Sequence, residues 1–209
     1  MSRYTGPKEK LSRKVGENLA LKAERSLSPK SAFLRKPYRP GMHGKRMRRG
    51  LSEFGTQLLE KQKVRFVYGV GERQFKNYFM KAKAAKGITS NLLMSLLEKR
   101  LDNTVFKAGL AASRAIARQL VSHGHFLING KRVTIPSYEV GPGDVITIRP
   151  QSKQKMIFAA LPEKLKKHEA PSWILLDKKT HEVKIKSDPN TEDIVQNFNM
   201  SSIIEYYSR

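Results

Sequence analysis

Ser113-Arg114-Ala115-Ile116-Ala117-Arg118-Gln119-Leu120-Val121-Ser122-His123-Gly124-His125-Phe126-Leu127-Ile128-Asn129-Gly130-Lys131-Arg132 is the stretch in which the hydrophobic period changes from 3.6 to 2. Its first half reads as a short helix over about 114–122, with Ser113 as N-cap and Gly124 as terminator. Ile116, Ala117, Leu120 and Val121 make its apolar arc, and Arg114 and Arg118 stand one turn apart outside that arc. The second half is a hairpin signal: Phe126-Leu127-Ile128 and Lys131-Arg132-Val133 flank Asn129-Gly130, a pair suited to a type I′ turn. Gly141-Pro142-Gly143-Asp144 is a further turn, and Val145–Ile148 a further strand. Helices followed by short strands predict a compact α+β unit.

Upstream, helical patterns dominate. A helix is expected over 91–107, with Leu93, Leu96, Leu97, Leu101 and Val105 as its stripe. Residues 72–86 read as an amphipathic helix on Phe75, Tyr78, Phe79 and Ala82, and 52–68 as a helix capped by Ser52, with Leu51, Phe54, Leu58, Phe66 and Val67 as its apolar positions. Downstream, partial helix is expected around 156–167, a buried strand at Trp173–Leu176, exposed loop and hairpin over 177–193, and a short docking helix at 201–207.

The 209 residues carry 41 Lys and Arg against 18 Asp and Glu, a formal net charge of +23. Residues 1–50 hold fifteen basic and three acidic residues. A self-repelling excess of this size calls for a polyanion, nucleic acid before an anionic membrane surface. The basic first quarter also carries Tyr4, Phe33, Leu34 and Tyr38. It reads either as a free tail or as a segment that is mobile alone and folds on RNA, with rings on bases and arginines on phosphate. The Gly-bounded turn at 41–50 lets backbone approach phosphate closely.

Other chemistries are excluded or lack their residues. With no cysteine there is no disulfide and no thiolate-held metal. The five histidines have no metal-site spacing, and His123 and His125 suit structural or phosphate-facing roles. Gly69-Val70-Gly71-Glu72-Arg73-Gln74 lacks the third glycine of a dinucleotide fingerprint and follows no strand. No Walker motif, nucleophile elbow or bilayer-length apolar run occurs.

Several motifs together carry a resemblance. They are Arg3-Tyr4-x-Gly6-Pro7, Pro40-Gly41-x-His43-Gly44, Glu60–Arg65, Tyr68-Gly69, Glu72–Phe75, Leu97-Glu98-x-Arg100-Leu101-Asp102-Asn103, Ala117–Gly124, Ile128-Asn129-Gly130 and Glu205-x-Tyr207-Ser208-Arg209. In one register from residue 3 to residue 209, the chain resembles the S-four family of small-subunit ribosomal proteins. The resemblance implies a basic N-terminal rRNA-binding segment (1–45), a mostly helical domain (46–90 plus 181–209) and an inserted S-four RNA-binding module (91–180). It implies a non-enzymatic, structural role in the small ribosomal subunit, in the cytoplasm or a plastid. Its implied partners are small-subunit ribosomal RNA, where binding nucleates assembly of the subunit body, ribosomal protein S-five, with which it influences decoding accuracy, and messenger RNA where it enters the subunit. Some members hold zinc through four cysteines. The matching positions here are Glu9, Ser12, Ser26 and Ser31, so no zinc or other cofactor is expected.

The RNA face of the module is expected on helix 114–122 and the hairpin, through Arg100, Arg114, Arg118, Gln119, Lys131 and Arg132. Elsewhere the expected contacts are Arg3, Tyr4, Arg13, His43, Lys45, Arg46, Arg48, Lys61, Arg65, Arg73 and Lys76. The alternative is an RNA-modifying enzyme carrying the same module, for which the remaining chain is too short to supply a catalytic domain. A protein bound to membrane or acidic polysaccharide would not need the hairpin beside an arginine-bearing helix.

Overall fold

Little apolar surface is available in the basic first quarter, yet it folds. The computed structural model describes residues 4–46, 50–190 and 198–209, which divide into two units, Met1–Ser90 with Gln196–Arg209 and Asn91–Val195. In the first unit α1 (Lys8–Val15), α2 (Ala23–Leu27) and α3 (Ala32–Arg35) precede α4 (Glu53–Tyr68), and α1 packs on both α3 and α4. Leu11, Val15 and Leu19 are buried there. Arg13 adds a polar lock: its Nε donates to the carbonyls of Lys36 and Tyr38 at 2.9 and 3.0 Å. Residues of the expected 1–45 segment pack on the helical domain: α1 lies against α4, and both fall in the first unit. Side-chain hydrogen bonds to backbone supply much of the ordering that apolar burial cannot.

The long helix begins as expected, with Ser52 Oγ accepting from the Gly55 amide at 3.2 Å. Its buried face is different: Gln57, Lys61, Val64, Val67 and Tyr68 point inward, while Leu51 and Phe54 are half exposed. In α5 (Glu72–Ala84) the expected Phe75, Tyr78, Phe79 and Ala82 are the buried face.

The single helix expected over 91–107 is two helices, α6 (Thr89–Glu98) and α7 (Leu101–Lys107). Arg100 between them is extended, with φ −64° and ψ 134°, and bridges Glu139. The Leu101 amide donates to the Tyr138 carbonyl and the Val140 amide to that of Lys99, both at 2.9 Å. A segment some forty residues downstream captures the backbone groups that a continuous helix would use itself.

Then come α8 (Arg114–Ser122), β1 (Phe126–Ile128), β2 (Lys131–Arg132), β3 (Val145–Ile148), α9 (Pro150–Lys153), α10 (Met156–Ala159), α11 (Leu161–Lys166), β4 (Ile174–Asp177) and β5 (Glu182–Ile185). Asn129 and Gly130 both have positive φ, 49° and 77°, as a type I′ turn requires. The five strands form one antiparallel sheet in the order β2-β1-β3-β5-β4. Phe126, Ile128, Ile146, Ile148, Val183 and Ile185 project into a core shared with Ala117, Leu120, Val121, Leu165 and Trp173. The fold class is α+β, with helices beside an antiparallel sheet. The expected module boundary at residue 180 is corrected: Val183 pairs with Ile146 and Leu176, so β5 belongs to this sheet.

The chain returns to the first unit as α12 (Met200–Ser208), capped by Asn199 and packed on α4. Ile203 is fully buried, and the Tyr207 ring stacks on Phe79 at 4.8 Å.

Candidate nucleic-acid interface

The cations expected to meet RNA separate into those the fold consumes and those it leaves outside. Lys61 is consumed. It is buried, its Nζ lies 2.8 Å from Glu72 Oε1, and it sits 4.3 Å from the centre of the Tyr206 ring. Arg65 donates from Nη1 to Gln62 Oε1 and to Glu72 Oε2 at 2.9 and 2.7 Å. Tyr207 donates its hydroxyl to the same carboxylate at 2.8 Å. Partial burial pushes the Glu72 carboxyl up, but hydrogen bonds from Lys61 and Tyr207 and the charges of Lys61 and Arg65 outweigh it and hold it below the ordinary glutamate range. Burial, then the bond to Glu72, pushes the Tyr207 phenol up.

The second unit has a parallel case. Arg100 is only 2% exposed and grips Asp102 in a two-point fork, Nε to Oδ1 at 3.1 Å and Nη2 to Oδ2 at 2.8 Å. Arg118 donates from Nε to Asp102 Oδ2 at 2.9 Å. Arg114 donates from Nε to Asn103 Oδ1 at 2.7 Å, its guanidinium 4.7 Å over the Phe106 ring. Asn103 in turn donates to Glu98. Arg100 and Lys61, both expected to meet RNA, are instead buried against the chain's own carboxylates. Arg114 and Arg118 do not project freely as expected. They are half buried and clamp α8 onto α7. Ile116, expected inside, is 40% exposed. The helix is rolled so that Ile116 and Gln119 face outward while the arginines meet the polar residues of α7.

What remains outside is coherent in each unit. Tyr4, His43, Lys45 and Arg46 are exposed, and Lys45 Nζ lies 5.4 Å from the Tyr38 ring that Arg13 also covers. Arg73, Lys76, Met80 and Lys83 are exposed at helical spacing on α5, opposite its buried aromatics. Lys83 was legible from that spacing and is an addition to the expected set. In the second unit Gln119, Lys131 and Arg132 are exposed. Arg132 Nη2 donates to the His123 carbonyl at 3.3 Å, and a Cβ at Gly124 (φ +72°) would run into its guanidinium. The hairpin therefore closes on the C-terminal end of α8. Arg149 and Lys155, which sequence pattern did not single out, lie near this end. Arg3 and Arg48 fall outside the described residues.

The four positions matching zinc ligands of the resembled family all turn inward. Glu9, Ser12, Ser26 and Ser31 are all buried, and each accepts from a backbone amide: Ala32 to Glu9 at 2.6 Å, Leu19 to Ser12 at 3.4 Å, Lys22 to Ser26 at 3.0 Å and Phe33 to Ser31 at 3.3 Å. Neutral hydroxyls occupied in this way do not fit a zinc ion. Among the described residues no group of three or more His, Asp or Glu gathers as a metal site, and no helix is long and apolar enough to cross a membrane.

Comparison with known proteins covers the whole chain. Residues 3–98 match the family described as ribosomal protein S4/S9 N-terminal domain, and residues 99–146 match the S4 domain. The chain is 44% identical to small ribosomal subunit protein uS4 of Chlorobium limicola, 47% to that of Caldicellulosiruptor saccharolyticus and 44% to that of Thermus thermophilus. Each match spans 209 residues and 100% of both chains.

Proposed function

This chain belongs to the uS4 family of small ribosomal subunit proteins, and from that premise we propose that it binds small-subunit ribosomal RNA directly as a structural constituent of the subunit. It is a structural protein of translation, not an enzyme. The observation that carries the reading is the sorting of its cations. Lys61, Arg65, Arg100 and Arg118 are held by the chain's own carboxylates. His43, Lys45, Arg46, Arg73, Lys76, Lys131 and Arg132 are left facing solvent. Those exposed cations, with Tyr4 and Gln119, are the proposed RNA contacts, joined by Arg3 and Arg48 of the expected set. Phosphate supplies the affinity and RNA shape the specificity.

The finer part of the proposal is that binding nucleates assembly of the subunit body. The chain then neighbours ribosomal protein S-five, where it influences decoding accuracy, and messenger RNA where it enters the subunit. It works in the ribosomes of the cytoplasm or of a plastid. In a lysate gradient at low salt the tagged chain should sediment with small subunits in near-equal stoichiometry. A chain that stays at the top of that gradient refutes the reading.

The chain should also work without zinc, because buried serines bonded to backbone stand where thiolates would be needed. A strong chelator should leave its melting curve unchanged. Stoichiometric zinc in purified, tag-free protein would show the opposite.

A further inference from the structure

His125 is buried where four parts of the second unit converge. From the end of α8, the His123 ring lies 6.0 Å away, edge-on. From the hairpin, Arg132 reaches the His123 carbonyl. After β3, the amide of Arg149 donates to the His125 carbonyl at 2.9 Å, and Ser152 Oγ of α9 lies 2.9 Å from His125 Nδ1. Lys155 precedes α10, whose Phe158 packs edge-on against the imidazole at 5.9 Å. Burial first, then the charges of Lys155, His123, Arg132 and Arg149, push the imidazole below the usual histidine range. Every charged group in that set is a cation or another histidine. Nothing anionic in it balances them, and His123, Arg132 and Lys155 are exposed.

We propose that this cluster is a backbone-phosphate subsite at which His125 takes one proton from solvent as the RNA docks. The inference rests on the ribosomal RNA reading above and deepens it. A phosphodiester set among these groups reverses the field that keeps the ring neutral, because an anion within a few ångströms favours the charged imidazole. With Ser152 Oγ on Nδ1, Nε2 is the nitrogen left to meet the ligand. The proton it gains is donated to a phosphate oxygen as a charge-assisted bond. Because the bound state holds the extra proton, affinity rises as pH falls and levels off once the free protein is also protonated.

The test measures full-chain affinity for a transcript of small-subunit ribosomal RNA at constant ionic strength, from pH 8 to pH 6. Wild-type affinity should rise by about five- to tenfold over that range. His125→Gln should lose most of the rise, while His123→Gln should keep most of it. A wild-type profile without the rise, or a full rise in His125→Gln, overturns the proposal and leaves the ribosomal RNA reading standing. A transcript that fails to bind at any pH in about 100 mM salt sinks the reading itself and the subsite with it. The ring also reports without substitution. The titration midpoint of the His125 Cε1 resonance in wild-type protein should move up by about one pH unit or more on adding a short RNA hairpin. An unchanged midpoint overturns the proposal, whether or not the glutamine variant folds.

Discussion

Raising salt from about 50 to about 200 mM should weaken binding of this chain to small-subunit ribosomal RNA by about a thousandfold or more. Each phosphate neutralised by Lys or Arg releases condensed counterions, with a slope of about −0.9 per contact on duplex RNA or DNA. About six contacts give a slope near −5, and a fourfold rise in salt then costs about three decades. Six is a modest demand, since Lys45, Arg46, Arg73, Lys76, Lys83, Lys131 and Arg132 are all exposed. Lys131→Ala at the hairpin turn should lower the slope by about one unit. Lys178→Ala with Lys179→Ala, in the β4–β5 turn, is the control and should change little. A flat titration refutes the electrostatic reading. A control that loses as much as the hairpin variant would mean diffuse attraction with no defined face.

Asp102→Ala should destabilise the second unit by about 3–5 kcal/mol, the cost of breaking a buried ion pair by removing one partner. The carboxylate, itself buried, is shared by Arg100 and Arg118, and its removal leaves the Arg100 guanidinium inside the protein without its fork partner. Urea unfolding followed by amide exchange in α7, α8 and the sheet reads the effect. A second-unit midpoint within about 0.5 kcal/mol of wild type would end this account, because that is the range of an ordinary surface substitution. The same geometry changes what an arginine substitution means. On sequence, Arg114→Ala with Arg118→Ala reads as a pure binding variant with folding nearly unchanged. In the structure both side chains hold α8 on α7, so weaker RNA binding in that variant must be corrected for lost folding before any contact is assigned.

Some features were legible because their causes are local. The Ser113 cap needs only a hydroxyl three residues before a free amide. The Asn129-Gly130 turn needs only two residues tolerant of positive φ. The aromatic face of α5 needs only helical spacing. Misreadings gather where a distant segment intervenes. The break at Arg100 depends on residues 138–140 pairing with the chain there, and Gln57 and Lys61 face inward because α12 brings Glu205, Tyr206 and Tyr207 onto α4.

The amino-acid sequence by itself determined the α+β class, the cation excess, the absence of thiolate chemistry and, through motifs in one register, the family. These follow from composition, from periodicity and from spacing along the chain. Only the tertiary structure decided which cations are available to RNA. Lysine and arginine look alike in a sequence whether solvated or buried. Their fate depends on whether folding brings a carboxylate within about 3 Å, since a guanidinium leaves water only when its charge and its donors are matched. Arg100 found Asp102 and is lost to the interior. Lys131, exposed at the start of β2 beside the two-residue turn, stays in water and is free to meet phosphate.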